Sequence, residues 1–271
     1  MPDCGALWRK GTPGDRSDDG VRRRGRRTDR GADDRMNGLL VRVGADLSGG
    51  GGSWNGPVDS TTNDFAYVAI PESSAIHPGL EKPYVALTPT LQRFGVRLPA
   101  HLTGRHMHLD PDFTYLTYGD QGERAKQLRT QLGPGDLIVF YAGLADIRPN
   151  SSLVYALIGL MIVDRLHLAA EVPTSERDSN AHSRRILSDG AQDIVVTGRS
   201  EVSGRLRRCI PIGEYRDRAY RAQRDILDEW GGLSVKNGYL QRSARLPRFL
   251  NVERFLRWID AQGPSLIRSN N

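Results

Sequence analysis

Residues 133–144 read GPGDLIVFYAGL, and residues 155–163 read YALIGLMIV. Gly-Pro-Gly-Asp is a turn sequence, because Pro and Gly fit the dihedral angles of tight turns and Asp bonds to nearby backbone amides. Each apolar run is short and is bounded by Gly, Pro or charged residues, which is typical of a buried strand. A polar loop containing Arg148 and Pro149 joins the two runs. The pattern therefore predicts a buried antiparallel hairpin.

The longest apolar run, Val154 to Val163, has about half of the roughly 20 residues that a membrane-spanning helix requires. The N-terminal residues include no hydrophobic stretch between a basic region and a small-residue cleavage site, so we expect no secretory signal and a cytoplasmic protein. Cys4 and Cys209 are the two cysteines of the chain, which excludes a disulfide framework or a cysteine metal cluster.

The 271-residue chain carries 38 Lys and Arg against 32 Asp and Glu, a net charge of +6, with 38% hydrophobic residues. This composition excludes fibrous, collagen-like and wholly disordered proteins. Residues 1–35 hold ten Lys or Arg and seven Asp or Glu with almost no periodic apolar residue, so we predict a disordered tail there. Met36 would be an alternative start. The predicted divisions are this tail, one domain over 36–265 and a C-terminal tail over 266–271.

Net charge says little about the ligand, since 10 − 7 = +3 of the total lies in the tail and 6 − 3 = +3 is left for residues 36–271. A balance of that size favours DNA over a free nucleotide only weakly.

Short strand-like runs and a few amphipathic segments alternate along the remainder of the chain. Helices are predicted over 121–132, 216–230 and 252–262, the first after Asp120 and the last after Asn251 as N-caps. Because Gly- and Pro-rich loops separate the strands and helices do not follow each strand in turn, an α+β fold is favoured. We expect a single domain with a mixed or barrel-like β core and peripheral helices. The predicted strands are Leu39 to Val43, Phe65 to Ile70, Leu137 to Ala142, Tyr155 to Val163 and Ile194 to Thr197.

The densest polar cluster lies at residues 105–112, which read RHMHLDPD. In an extended backbone, the period of two puts His106, His108, Asp110 and Asp112 on one face as metal ligands or proton-transfer groups. The string resembles the HxHxDH ligand motif of metallo-β-lactamase-like hydrolases, except that Pro111 stands in place of the final His. The alternative is a local turn at residues 110–112 with one His packed against the core.

Two further segments carry candidate groups. In NAHSRR at residues 180–185, His182 would act as a general acid or base and Arg184 and Arg185 would neutralise phosphate. These residues would otherwise cap a helix or lie on its solvated face. Asp46 follows the first predicted strand, where a strand end would expose a carboxylate.

The hairpin at residues 133–163 resembles the central hairpin of PUA-like barrels, including the ASCH and EVE domains, which bind RNA or modified bases. A longer series of stretches follows in order within the range from Val41 to Trp258: VGAD at 43–46, NGPV at 55–58, FAYVAIPE at 65–72, HLDPDF at 108–113, TYGD at 117–120, GDLIVFYAGL at 135–144, NAH at 180–182, PIG at 211–213, GYLQRS at 238–243 and FLRW at 255–258. Together these stretches resemble the nucleotide modification associated domain family, third type.

The family resemblance implies a role in nucleotide or DNA base modification and favours the polar groups within the matching stretches. We predict His108 and Asp110 as a reactive or ligand pair and His182 as a second acid or base. Tyr141 would stack on or bond a base, with a core aromatic as the alternative. Further predicted substrate contacts are Asp46, Asp120, Gln241 and the anion contact Arg242.

Three functions are open at this point. An enzyme that modifies a base or nucleotide would bring His108, Asp110 and His182 into one pocket. A PUA-like module that binds a modified base would have an aromatic-lined cleft beside a basic surface. Metal-dependent hydrolysis would need His106 and His108 to meet a carboxylate or His182. The expected partners are a nucleotide or nucleic acid and other DNA-modification proteins; the cofactor is unknown, and no residue is assigned to a metal.

Overall fold

The computed structural model of the protein describes residues 35–271, so the disordered tail predicted for residues 1–35 lies outside the described residues except for its last residue. The strands are β1 Gly38–Arg42, β2 Pro57–Asp59, β3 Asp64–Phe65, β4 Ile70–Pro71, β5 Met107–His108, β6 Thr117–Asp120, β7 Leu137–Asp146, β8 Leu153–Leu168, β9 Ile194–Gly198, β10 Gly204–Pro211, β11 Gly213–Arg216, β12 Ala219–Ala222 and β13 Leu266–Ile267. The α-helices are α1 Thr88–Gln92, α2 Gly122–Gln131, α3 Ala181–Arg184, α4 Arg224–Glu229 and α5 Val252–Ala261.

The predicted buried hairpin is confirmed as β7 and β8. The two strands pair antiparallel from Leu137 opposite Ile162 to Ala145 opposite Leu153. Asp136 fixes the turn before β7, because its carboxylate accepts hydrogen bonds from the backbone amides of Asn37 and Gly133, each at 2.8 Å. β8 continues beyond the hairpin to Leu168 and so offers pairing edges that β7 does not reach.

The sheet curls because β8 pairs with different strands along its length. Near the hairpin β8 pairs with β10, and beyond Val163 it pairs with β9, which pairs in turn with β6. On the other side, β7 pairs in parallel with β1 and β2. The result is a curled mixed sheet that forms a half-barrel, which confirms the predicted α+β fold with a barrel-like core.

Both faces of the sheet are buried. Since side chains alternate along a strand, Leu39 and Ile138 pack into one hydrophobic cluster, and Leu40 and Val139 pack into another on the opposite face. Helix α2 contributes to the first cluster and α5 to the second. Within residues 35–271, none of the helices combines the length and the apolar character that a membrane crossing requires.

Two of the three predicted helices are confirmed as α2 and α5. The Asn251 side chain caps α5 by accepting a hydrogen bond from Arg254 N at 3.0 Å. The predicted cap of α2 is wrong, because the Asp120 carboxylate accepts from Gln121 N and from Tyr118 Oη, and the N-cap position falls on Gln121.

The helix predicted over 216–230 is wrong in its first half. Residues 213–222 form the β11–β12 hairpin, whose turn residues Asp217 and Arg218 have φ values of 51° and 58°. Two consecutive positive φ values are typical of a type I′ hairpin turn. Tyr220 stacks on Tyr155 with ring centroids 4.1 Å apart, so its apolar spacing serves strand packing.

The single strand predicted over Phe65 to Ile70 is also wrong, because residues 66–69 lie between the short strands β3 and β4. The Asn271 side chain takes the place of a neighbouring strand here. Its amide accepts from Tyr67 N at 2.8 Å and donates to Tyr67 O at 2.9 Å. Asn270 binds Phe113 N at 2.7 Å and the Asp112 carboxylate at 2.9 Å. Asn270 and Asn271 thus form a C-terminal latch.

The Gly159→Ala variant is expected to lower the free energy of unfolding by roughly 1–3 kcal/mol or more, as overpacking in a core does. A Cβ at Gly159 of β8 would lie 2.4 Å from Phe113 Cε1 and 2.8 Å from Gly204 O. Urea unfolding measures the effect. The matched control is Gly133→Ala, whose Cβ would meet no atom within 4 Å. Equal stability of the two variants would show that Gly159 is not closely packed against Phe113 and β10.

Candidate functional site

A cleft of about 250 Å³ opens between the end of β1, the segment around β5 and the β6–α2 junction. We call it the site cleft. The buried residues His108, Asp110 and His182 form the part of its lining that we call the base, and the exposed Gly49 and Gly50 form part of its rim. Its lining is rich in cations and includes Arg42, Arg105, Arg124, Arg185 and Arg242.

His108 is held by strand pairing and by a buried carboxylate. β5 pairs with β4, which places His108 opposite Ile70, and Glu72 follows Ile70 by two residues. His108 Nδ1 lies 2.6 Å from Glu72 Oε2. Arg185 in turn donates to Glu72 Oε1 at 2.9 Å, which keeps the carboxylate ionised. Because an ionised carboxylate can only accept, His108 Nδ1 donates to Glu72; Arg185 Nη2 lies 3.1 Å from the same nitrogen, and together these two neighbours orient the ring.

His182 is held in a parallel manner by α3. Asn180 caps this short helix and accepts a hydrogen bond from His182 N at 2.9 Å. His182 Nδ1 lies 2.6 Å from Asp193 Oδ2, just before β9. Gly119 lies beneath the ring, where a Cβ would come within 2.5 Å of His182 Cδ2. The two imidazoles meet edge to face with centroids 4.9 Å apart.

Asp110 completes the base of the site cleft. One carboxylate oxygen, Oδ1, accepts hydrogen bonds from Gly119 N at 2.8 Å and from Asn180 Nδ2 at 2.9 Å. The other oxygen, Oδ2, faces His182 Nε2 across 3.8 Å, which is too long for a hydrogen bond. The three side chains are brought together from segments about 70 residues apart in the chain.

Burial shifts two of these groups in opposite directions. Removal from water raises the pKa of Asp110 to about 7, against the opposing charge of His182. Desolvation lowers the pKa of His108 to about 4, although the hydrogen bond to Glu72 favours the charged ring. Desolvation also raises the pKa of Glu72, but hydrogen bonds from His108 and Arg185 outweigh it and hold that pKa well below its ordinary value.

The rim beside β1 is organised by Asp46. Its carboxylate accepts from Ser48 N and Oγ and pairs with Arg242 Nη2 at 3.1 Å. Desolvation raises the pKa of Asp46, yet the Ser48 hydroxyl and Arg242 outweigh it, so the pKa lies below its ordinary value. A Cβ at Gly51 would lie 1.8 Å from Asp46 Oδ1, so the loop needs glycine there.

Of the predicted site residues, the structure brings together His108, Asp110, His182, Asp120 and Arg242 in the lining of the site cleft, with Asp46 bonded to Arg242 behind the rim. It does not bring Tyr141 or Gln241 there. Tyr141 is buried in the second hydrophobic cluster, where its hydroxyl donates to Leu240 O at 2.6 Å. Gln241 accepts a hydrogen bond from Tyr239 Oη at 3.0 Å.

The single polar face predicted for residues 106–112 breaks at both ends. His106 is exposed, whereas Asp112 is buried and accepts a hydrogen bond from Arg184 Nη2 at 2.6 Å. The turn alternative holds in part, since Asp112 and Thr117 exchange backbone hydrogen bonds around a tight loop. His108 and Asp110 nevertheless share the cleft, so turn and site coexist.

Glu72 and Asp193 were not identified from the sequence as the carboxylates that orient His108 and His182, nor was Asn180 identified as a hydrogen-bond donor to Asp110. The rule that selected Asp46, a carboxylate at a strand end, also selects Glu72 after β4 and Asp193 before β9. The sequence does not predict which histidine each acid contacts. Glu72 and His108 are 36 residues apart and His182 and Asp193 are 11 apart, so these contacts depend on the curl of the sheet.

Among the described residues, His108, Asp110 and His182 form a group able to hold a metal ion, with one ligand atom of each within 4.8 Å of the others. The same groups would also exchange protons with a bound substrate.

Comparison with known proteins gives a family match. A family model described as nucleotide modification associated domain 3 matches residues 37–249. No curated protein and no solved structure matches the chain. The matched range includes every residue of the site cleft described above.

The Asp110→Asn variant is expected to gain stability relative to wild type as the pH rises from about 4 to about 7. In this window the folded wild type holds a proton that the unfolded chain has released, so its free energy of unfolding falls with rising pH. Asparagine keeps the carbonyl oxygen that Gly119 and Asn180 bind but has no proton to lose.

Urea unfolding of both proteins at about pH 4.5 and about pH 8, with a chelator present, should show the stability difference changing by at least about 1 kcal/mol. His108 titrates in both proteins and so contributes little to the difference. A difference that does not vary with pH would mean that Asp110 is ionised throughout.

Proposed function

We propose, from the premise that the chain belongs to the nucleotide modification associated domain 3 family, that it is an enzyme that modifies a nucleotide or a nucleobase in the site cleft. The observation that carries the proposal is the convergence of His108, Asp110 and His182 at the base of that cleft. A module that only binds a base needs no such cluster, whereas proton transfer or metal-assisted chemistry does.

The charge of the lining supports a phosphate-bearing substrate. Five arginines surround the cleft, against the carboxylates Asp110 and Asp120 in the same lining. Arg124 is engaged with Asp120 at 3.0 Å and Arg185 with Glu72, so they preserve the shape of the wall. Arg242 also pairs with Asp46, but its side chain is more exposed than those of Arg124 and Arg185, so Arg242 and the exposed Arg105 are suited to contact a phosphate.

The size of the cleft supports a single base or nucleotide. Its volume of about 250 Å³ lies just below the roughly 300–1,000 Å³ of typical small-molecule sites. Tyr118 is the aromatic ring in the lining apart from the imidazoles, and its hydroxyl is bound to Asp120 at 2.5 Å. A PUA-like module that binds a modified base would have an aromatic-lined cleft, so this site fits such a module less well than it fits an enzyme.

A direct test is untargeted mass spectrometry of nucleosides and nucleotides from cells that express the wild-type chain or the His182→Gln variant. We expect a nucleoside or nucleotide species in the wild type that is absent in the variant, because His182 lies at the base of the cleft. Identical profiles, with both proteins folded and nucleotide binding retained, would favour the binding-module function.

The Arg242→Gln variant is expected to weaken binding of a nucleoside monophosphate by about 10-fold or more, the loss of one charge-assisted hydrogen bond. Binding of the unphosphorylated nucleoside should change little. Isothermal titration calorimetry measures both affinities.

The matched control is Arg148→Gln, which removes a comparable pair with Asp146, at 2.7 Å, outside the site cleft. If both variants bind the monophosphate as wild type does, Arg242 is not the phosphate contact.

A further inference from the structure

We propose that the base of the site cleft binds a divalent transition-metal ion through the imidazoles of His108 and His182 and the carboxylate of Asp110. The ligand atoms of the three residues lie within 4.8 Å of one another. The His182 Nε2 to Asp110 Oδ2 distance of 3.8 Å is close to the separation of about 3 to 3.5 Å between two ligands that share one ion. Small side-chain rotations would bring the set to bonding distance.

The two imidazoles are oriented as metal ligands are. Glu72 Oε2 and Asp193 Oδ2 each lie 2.6 Å from the Nδ1 atom of one ring. A carboxylate that accepts the Nδ1 proton fixes the tautomer and leaves the Nε2 lone pair free to bind. Carboxylate–histidine–metal arrangements of this kind orient ligands and increase their basicity. The chain forms the arrangement twice, from separate segments, around one point.

Asp110 shows the same division between a tethered and an open side. Its Oδ1 atom is bound by Gly119 N and Asn180 Nδ2, while its Oδ2 atom points to His182 Nε2. A lone pair and a carboxylate oxygen that face each other without a hydrogen bond repel unless a positive charge lies between them. A metal ion bound by both would supply that charge.

The charge balance of the surroundings agrees. Three carboxylates, Glu72, Asp110 and Asp193, lie around the two rings, and Arg185 pairs with two of them at 2.9 and 3.8 Å. Among the described residues, His182 is the ion-pair partner of Asp110 within 4.0 Å. When Asp110 is ionised and both imidazoles are neutral, the three carboxylates and Arg185 carry a net charge of 1 − 3 = −2 in a largely buried place, which is costly. A divalent ion would neutralise them.

The donor set indicates the class of metal. Imidazole nitrogen suits iron, zinc and similar ions, whereas magnesium and calcium take oxygen ligands. Two His and one carboxylate, with the remaining positions open, are typical of non-haem iron(II) sites, and three protein ligands also suit zinc. The open positions would face the cleft, where a substrate or water oxygen would complete the coordination.

The test is metal binding itself, independent of any reaction. Protein freed of metal by a chelator is titrated with Co²⁺, whose visible spectrum reports nitrogen and oxygen coordination, and anaerobically with Fe²⁺ in a calorimeter. We expect one ion per chain in the wild type. Affinity should fall by more than about 100-fold in Asp110→Asn and by roughly 10- to 100-fold in Glu72→Gln, which removes only an orienting carboxylate.

The matched control is His106→Gln, which removes an exposed imidazole two residues from His108 and should leave affinity unchanged. Thermal melting confirms that each variant is folded. No binding by the wild type, or equal affinity in folded wild type and Asp110→Asn, would overturn the inference. Metal binding without a modified nucleotide would instead overturn the proposed function and leave this inference standing.

Discussion

The structure depends on one strand that belongs to two walls. β8 pairs with β7 and β10 over its first part and with β9 over its last part. Because a twisted strand of this length cannot keep both neighbours in one plane, the sheet curls into a half-barrel. β9 pairs with β8, and β6 pairs with β9 and carries Gly119, which lines the site cleft together with residues of β1, β4 and β5. The site cleft is the space that the curl leaves between these walls.

Surrounding residues hold the side chains at the base of the cleft in place. Arg185 holds Glu72, Glu72 holds His108, Asp193 holds His182, and Asn180 holds both α3 and Asp110. His108, His182 and Asp110 thus each have one polar atom bonded to the surrounding protein, and all three line the site cleft. Such preorganisation spends folding stability on polar burial, and the raised pKa of Asp110 reflects it. The hydrophobic clusters on both faces of the sheet offset that cost.

Sequence patterns predicted what is local and continuous. The apolar runs of β7 and β8, the Gly-Pro-Gly-Asp turn and the cap at Asn251 follow from short-range rules, and each was found. The β11–β12 hairpin was missed because apolar residues such as Tyr220 occur at a spacing that also fits a helix. In the structure Tyr220 packs on Tyr155 from a strand. His108, Asp110 and His182 were selectable by residue type and family resemblance. Tyr141 was equally selectable, yet it packs in the core, since facing is set by strand register that sequence alone does not give.

The C-terminal latch has a consequence for the order in which the molecule is assembled. Asn271 bonds Tyr67 across 204 residues, and Asn270 bonds Asp112 across 158. Contacts of such sequence separation form late, because the entropy of closing the intervening loop is lost before they add any stability. During synthesis, residues 67 and 112–113 therefore lack these hydrogen bonds until residues 270 and 271 have left the ribosome. The loop that follows Asp110 acquires these contacts last, so a nascent chain would form most of its sheet before the segment beside the site cleft is fully held.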